Sequence, residues 1–121
     1  MTSIILIDDD VDAVETLKAY FEETKIDVCG FGYDGKDAVE LYKKYNPDIV
    51  LLDLDMPKFN GIYAIENIQK INPKAKIIIL TGSVESVTLD MLRKYHVAKI
   101  YSKPYNITQL ASIVEQCGKS E

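Results

Sequence analysis

A chain of 121 residues, 47% apolar and 27% charged, is long enough to bury one core and has the balance of an ordinary soluble globular domain. Its net charge of −5, without any basic run, argues against a binder of the nucleic-acid backbone. No apolar run nears the ~18 residues that cross a bilayer, and Met-Thr-Ser-Ile lacks the charged start and cleavage site of a signal peptide, so a cytoplasmic protein without membrane insertion is expected.

Ile4-Ile5-Leu6-Ile7 is an unbroken apolar run that stops on Asp8-Asp9-Asp10. Such a run, with no alternation, is how a strand reads when helices cover both faces of its sheet. Val11, Val14, Leu17 and Phe21 then recur at helical spacing behind Asp10 as N-cap. Asp27 to Phe31 reads as a short strand weakened by Gly30. Asp34-Gly35 opens a second helix with Ala38, Leu41, Tyr42 and Tyr45 as its buried stripe. Asn46-Pro47 stops it, because a residue before proline disfavours the α region.

Ile49-Val50-Leu51-Leu52 repeats the first pattern and ends on Asp53, with Asp55 two places on and a turn opened by Met56-Pro57. Ile62, Ile65, Ile68 and Ile71 mark a third helix, closed by Asn72-Pro73. Lys76 to Leu80 is a fourth strand ending on Thr81-Gly82. Val84, Val87, Met91, Leu92 and Tyr95 mark a fourth helix, near whose end His96, the only histidine, has a solvated role. Ala98 to Tyr101 is a fifth strand ending at Lys103-Pro104. Asn106 caps a last helix, with Gln109 placed to reach back as a capping-box partner and Ile107, Leu110, Val114 and Cys117 on its inner face. Cys29 and Cys117 lack CxxC spacing and read as reduced, packed thiols rather than zinc ligands.

Five strands alternating with five helices give an α/β domain: a parallel sheet with right-handed crossovers and helices on both faces. The pattern covers residues 1–121 as one unit, and no output domain is expected. In such a sheet the strand ends Asp8-Asp9, Asp53, Thr81 and Lys103 share one edge, where ligands of open α/β sheets gather. Clustered carboxylates raise one another's pKa unless a cation neutralises them, and a hard divalent ion such as Mg2+ suits oxygen ligands completed by phosphate. Lys103 and Thr81 then suit a phosphoryl group, one by charge and one by a hydrogen bond, and an aspartate can be its nucleophilic acceptor. No independent general base is at hand, which fits a group that is itself modified better than a turnover enzyme.

On these residues the chain resembles the receiver (response regulator) domain of two-component signalling, from Ile4 to the last helix. The matching pieces are Ile4 to Asp9, Asp48 to Gly61 around Asp53-x-x-Met56-Pro57-x-x-x-Gly61, Leu80-Thr81-Gly82, and Lys103-Pro104. The resemblance implies a doubly wound, flavodoxin-like five-stranded sheet of strand order 2-1-3-4-5. It implies Asp53 as phosphoacceptor, Asp9 as direct Mg2+ ligand with Asp8 acting mainly through water, and the Asp55 backbone carbonyl as a further ligand. Thr81 matches the switch hydroxyl, Lys103 the lysine that pairs with the phosphate, and the Lys103-Pro104 bond is expected to be cis.

The implied partners are a histidine kinase or phosphotransfer protein as donor and a protein target reading the face of the fourth helix, fifth strand and fifth helix, with the receiver a monomer or weak dimer. Two positions depart from the family. Ile100 stands where an aromatic residue usually swings, and strand alternation turns the neighbouring Tyr101 to the opposite face. Asp55 is an extra acid beside the acceptor. Ile49 to Asp55 also looks like the first motif of haloacid dehalogenase-type phosphatases, with Asp53 as nucleophile and Asp55 as general acid. Its place on the third strand, the unexplained N-terminal acids and the lack of a cap domain speak against that. A receiver fold that is never phosphorylated is the third reading.

Overall fold

The computed structural model describes residues 2–54, 56, 61–82 and 93–119. Strands β1 (Ser3–Ile7), β2 (Asp27–Gly32), β3 (Ile49–Asp53), β4 (Lys76–Thr81) and β5 (Lys99–Ser102) form one parallel sheet in the order β2-β1-β3-β4-β5. Helices α1 (Val11–Glu22), α2 (Gly35–Tyr45), α3 (Gly61–Ile71) and α4 (Ile107–Lys119) are the four among the described residues. The helix expected between Val84 and Tyr95 lies, except for its last three residues, outside them, as do Asp55 and Pro57.

The unbroken apolar runs are explained by two cores, one on each face of the sheet. On β1, Ile5 and Ile7 join Val50, Leu52, Ile77 and Ile79 beneath α2 and α3, while Ile4 and Leu6 join Ile49, Leu51, Ile78 and Leu80 beneath α1 and α4. Successive side chains enter opposite cores, so no position from Ile4 to Ile7, Ile49 to Leu52 or Ile77 to Leu80 is left for a polar residue. Full burial of each of these side chains contributes roughly 1.5–3 kcal/mol.

The ends of the elements follow their sequence signals. Asp10 caps α1 by accepting from the amides of Asp12 (3.0 Å) and Ala13 (3.4 Å). Asp34 caps α2 by accepting from Asp37 N (2.8 Å), and Asp37 in turn accepts from Tyr33 N (2.9 Å). That return contact needs Gly32, since a Cβ there would stand 2.5 Å from the Asp37 Cβ. Asn46 ends α2 in the left-handed region (φ 44°), which an asparagine tolerates and which leads the chain into Pro47.

Several stripes differ from expectation at their ends. Val11, Tyr45 and Ile71 are exposed rather than buried, each being the first or last residue of its helix. Tyr45 instead flanks Gly30 at the β2 edge with the Lys44 ammonium 5.1 Å above its ring. The capping box at α4 is half formed. Asn106 accepts from Gln109 N (3.1 Å), but the Gln109 side chain accepts from the Tyr101 hydroxyl (3.0 Å) and so ties α4 to β5 instead of returning to the cap. Ile100 packs against the α2–α3 core and Tyr101 against the α1–α4 core, as alternation requires.

Gly61, the first residue of α3, abuts the chain leaving β3. A Cβ there would come within 2.9 Å of Leu54 Cα and 2.7 Å of Leu54 Cδ1, and backbone cannot yield cheaply. Gly61→Ala is therefore expected to lower stability by about 1–3 kcal/mol in a denaturant titration, while the same substitution at Gly30, which faces only side chains, costs less.

Candidate functional site

Four of the strand ends converge. Asp8 follows β1, Asp53 closes β3, Thr81 closes β4, and Lys103 follows β5. Asp8, Asp53 and Thr81 are 3%, 2% and 1% exposed, the buried polar residues among those described, whereas Asp9 is open to solvent. Backbone hydrogen bonds past the strands hold these ends in register. Asp8 N donates to Gly32 O (3.2 Å), Leu54 N to Leu80 O (2.9 Å) and Lys103 N to Thr81 O (2.8 Å). The Lys103-Pro104 bond is cis.

Lys103 Nζ lies 3.2 Å from Asp53 Oδ1 and 3.6 Å from Asp8 Oδ2. One ammonium thus faces two buried carboxylates. Burial pushes the Asp8 carboxyl up to about 6 and the neighbouring Asp53 charge adds to the rise, against the Asp10 amide (3.0 Å from Oδ1) and Lys103. Asp8 Oδ2 is buried without a hydrogen-bond donor. Ligand oxygens of Asp8, Asp9 and Asp53 lie within 4.8 Å of one another. A buried oxygen without a hydrogen-bond donor, in an all-oxygen cluster with excess negative charge, fits a hard divalent cation such as Mg2+, which would supply the missing positive charge.

The structure thus brings together Asp8, Asp9, Asp53, Thr81 and Lys103, and leaves Asp55 outside the described residues. It adds residues the pattern did not single out. Asp10 contributes its amide to Asp8, and Tyr105 lines a cleft of about 450 Å³ with Asp8, Asp10, Ala13, Lys103 and Pro104. Burial, and then the Asp8 charge, raise the Tyr105 phenol above its ordinary value, so it stands at this site as a neutral hydroxyl. Its place two residues beyond Lys103 ties it to the site only once the fold brings that strand end to the acids.

A sheet of this order with acids, a hydroxyl and a lysine at its carboxyl edge defines a phosphoryl-receiving signalling domain rather than a phosphatase. The family model described as "Response regulator receiver domain" matches residues 4–115, and the chain belongs to that family. It is 31% identical to the chemotaxis protein CheY of Thermotoga maritima over 116 residues, 96% of this chain and 97% of that protein. It is 39% identical to the transcriptional regulatory protein DegU of Brevibacillus brevis over 79 residues, 64% of this chain and 34% of that protein. Among solved structures, the response regulator domain of Thermotoga maritima CheB superposes with a TM-score of 0.87 at 25% identity, covering 100% of this chain and 98% of that one. A CheX-CheY-BeF3-Mg complex from Borrelia burgdorferi gives 0.86 at 26%, covering 95% and 87%. The phosphatase alternative finds no support in these matches. The protein is a phosphorylatable receiver, a signalling domain. Among the described residues no helix is long and apolar enough to cross a membrane.

The electrostatics carry a measurable consequence. Because Asp8 titrates near 6 when folded and at 3.8 ordinarily, the native state holds a proton that the unfolded chain releases between those values. Stability of the metal-free protein is expected to fall as pH rises from about 4 to about 6 and to stay at the lower level above that. Asp8→Asn should flatten this slope and, at neutral pH without divalent cation, raise stability by on the order of 1–3 kcal/mol in urea titrations. A variant less stable than the parent at neutral pH would contradict the strain assigned to Asp8.

Proposed function

We propose that Asp53 is the phosphoacceptor. The observation that carries this is the ion pair of Lys103 Nζ with the buried Asp53 Oδ1 at 3.2 Å, within a cluster of acids that needs a further cation. An Asp53 carboxylate oxygen attacks the phosphorus of a phosphohistidine in line. A P–O bond forms, the P–N bond breaks, and the imidazole leaves with the electron pair of that bond. Lys103 shifts its ammonium from carboxylate to phosphoryl oxygen, where charge-assisted hydrogen bonds are strongest. Thr81, buried at the end of β4, offers its hydroxyl to the same group. Asp8 and Asp9, with Asp53 and the backbone carbonyl of Asp55, would hold Mg2+, which when bound neutralises the acids and the incoming phosphoryl oxygens.

The donor is a histidine kinase or phosphotransfer protein, and the output is protein contact at the face that includes β5 and α4. The chain acts in the cytoplasm as a receiver, monomeric or weakly dimeric. Binding of CheX by a Borrelia burgdorferi CheY illustrates a protein target for such a domain.

Asp53→Asn is expected to abolish incorporation of labelled phosphoryl from purified histidine kinases, and excess chelator to do the same for the parent. Asp9→Asn should weaken Mg2+ binding and slow labelling together. One acid-stable, alkali-labile phosphoryl group per chain is the expected product. Steady release of phosphate from a small phosphoester would favour the phosphatase reading. For Asp55→Asn the expectation is retained labelling with a changed decay rate.

Tyr101→Phe separates two routes of output. Tyr101 lies on the α1–α4 side, away from the Ile100 position, so its loss of a hydroxyl should leave labelling intact and cost about 1 kcal/mol through the bond to Gln109. Loss of target binding by labelled Tyr101→Phe, with folding unchanged, would instead place the switch at Tyr101.

A further inference from the structure

β2 is the outermost strand on the side of the sheet away from β5, and α2 packs on it, with Leu41 and Tyr45 against Gly30. Beside them a cavity of about 310 Å³ is lined by Phe31, Tyr33, Asp37, Glu40, Leu41 and Lys44. The Phe31 and Tyr33 rings meet edge to face, their centroids 6.2 Å apart and their planes at 71°, and so make an apolar corner. Phe31 is exposed, and the Lys18 ammonium already stands 4.5 Å from its ring centroid. On the helix side Glu40 has Lys44 four residues on, the spacing and order at which a helical ion pair forms. That pair is not made. The Lys44 ammonium lies 5.1 Å over the Tyr45 ring, and Glu40 has no hydrogen bond or ion pair among the described residues. Asp37, fixed by accepting from Tyr33 N (2.9 Å), adds a second carboxylate to the same wall.

We propose that this cavity takes one arginine side chain of a partner protein, with the guanidinium against the Phe31–Tyr33 corner, its N–H groups donating to Glu40 and its aliphatic stem over Leu41. The cavity shares no residue with the acid cluster, so the proposal stands apart from the acceptor chemistry. Charge and shape together select this occupant. Aromatic faces and a carboxylate both attract a cation, and a planar guanidinium can stack on a ring while donating to a carboxylate. A lysine ammonium is a compact, strongly hydrated charge with no plane to stack. The volume is at the low end of ligand cavities (~300–1,000 Å³), which suits one side chain rather than a long segment. A second copy continuing the sheet is disfavoured, because the register of β2 on β1 shifts between Val28 and Gly30 and leaves a regular edge only from Gly30 to Gly32. A nucleic acid would set its phosphates against Asp37 and Glu40.

The test is an NMR titration of the full chain with the peptide Ser-Gly-Arg-Gly-Ser, beside peptides carrying lysine or the neutral isostere citrulline in place of the arginine, and beside methylguanidinium. Shifts should centre on Phe31, Tyr33 and Glu40. The arginine peptide should bind at least about tenfold tighter than the citrulline peptide and several-fold tighter than the lysine peptide or methylguanidinium, which lacks the stem. Glu40→Gln should weaken it about tenfold and Phe31→Leu several-fold. Both positions are exposed, so the melting curve and the labelling of Asp53 should not change. Equal affinity for the arginine and citrulline peptides, no effect of Glu40→Gln, or shifts confined to Asp8, Asp53 and Lys103 would each overturn the proposal. Methylguanidinium binding as tightly as the peptide would make a free small cation the occupant, and concentration-dependent shifts of the same residues without peptide would make it a second copy; either result overturns it. Failure of Asp53 labelling with arginine binding intact would instead count against the receiver chemistry alone.

Discussion

One ammonium facing two buried carboxylates is the constraint on which the rest depends. Lys103 stands 3.2 Å from Asp53 and 3.6 Å from Asp8, and both acids are almost fully enclosed. A single positive charge cannot balance two negative ones at low dielectric, so the site is left with a surplus that Asp8 partly relieves by holding its proton to about pH 6. That surplus is unfavourable for the fold and favourable for function. The site is built to receive positive charge, and a phosphoryl group with its counter-ion replaces an electrostatic deficit rather than a satisfied network.

Holding like charges together takes a rigid frame. The frame here is a sheet whose three central strands are packed into a separate core on each face, so that a shift of one strand disturbs the packing of both cores at once. Asp53, Thr81 and Lys103 are fixed to that frame through backbone bonds at the strand ends, Leu54 N to Leu80 O and Lys103 N to Thr81 O. Gly61 completes it from the other side. Its missing Cβ lets α3 start against the Asp53–Leu54 backbone, which fixes the chain just beyond Asp53. The stability of the two cores is thus what sustains the repulsion at their common edge.

The sheet and the acid edge were legible in the sequence for the same reason. Buried parallel strands read as unbroken apolar runs, and a polar residue can interrupt them only where the strand emerges, so Asp8, Asp53 and Thr81 announce both the strand ends and the site. What was not legible depended on geometry between elements. Helical spacing places Val11, Tyr45 and Ile71 on the stripes, but it does not say that the end residue of a helix is left open to solvent. The Gln109 side chain had a local partner by spacing and took a distant one, the Tyr101 hydroxyl, because β5 and α4 come together in the fold. Tyr105 was invisible as a site residue because an aromatic after proline has no pattern that distinguishes lining a cleft from packing.

The Ile100–Tyr101 pair bears on how a signal could leave the site. Ile100 packs against the α2–α3 core, as Tyr95 and Val97 do, and carries no hydroxyl or ring. Tyr101 has both, but it faces the other core and is held to Gln109 of α4. The direct covalent and hydrogen-bonded path from Thr81 to β5 runs instead through the main chain, where Lys103 N donates to Thr81 O and Thr81 pairs in register with Ser102. A shift of the Thr81 main chain would therefore be felt by β5 as a strand, and through Tyr101 and its bond to Gln109 by α4. Coupling of this kind needs no rotamer change at position 100. It would act on an outermost strand of the described sheet.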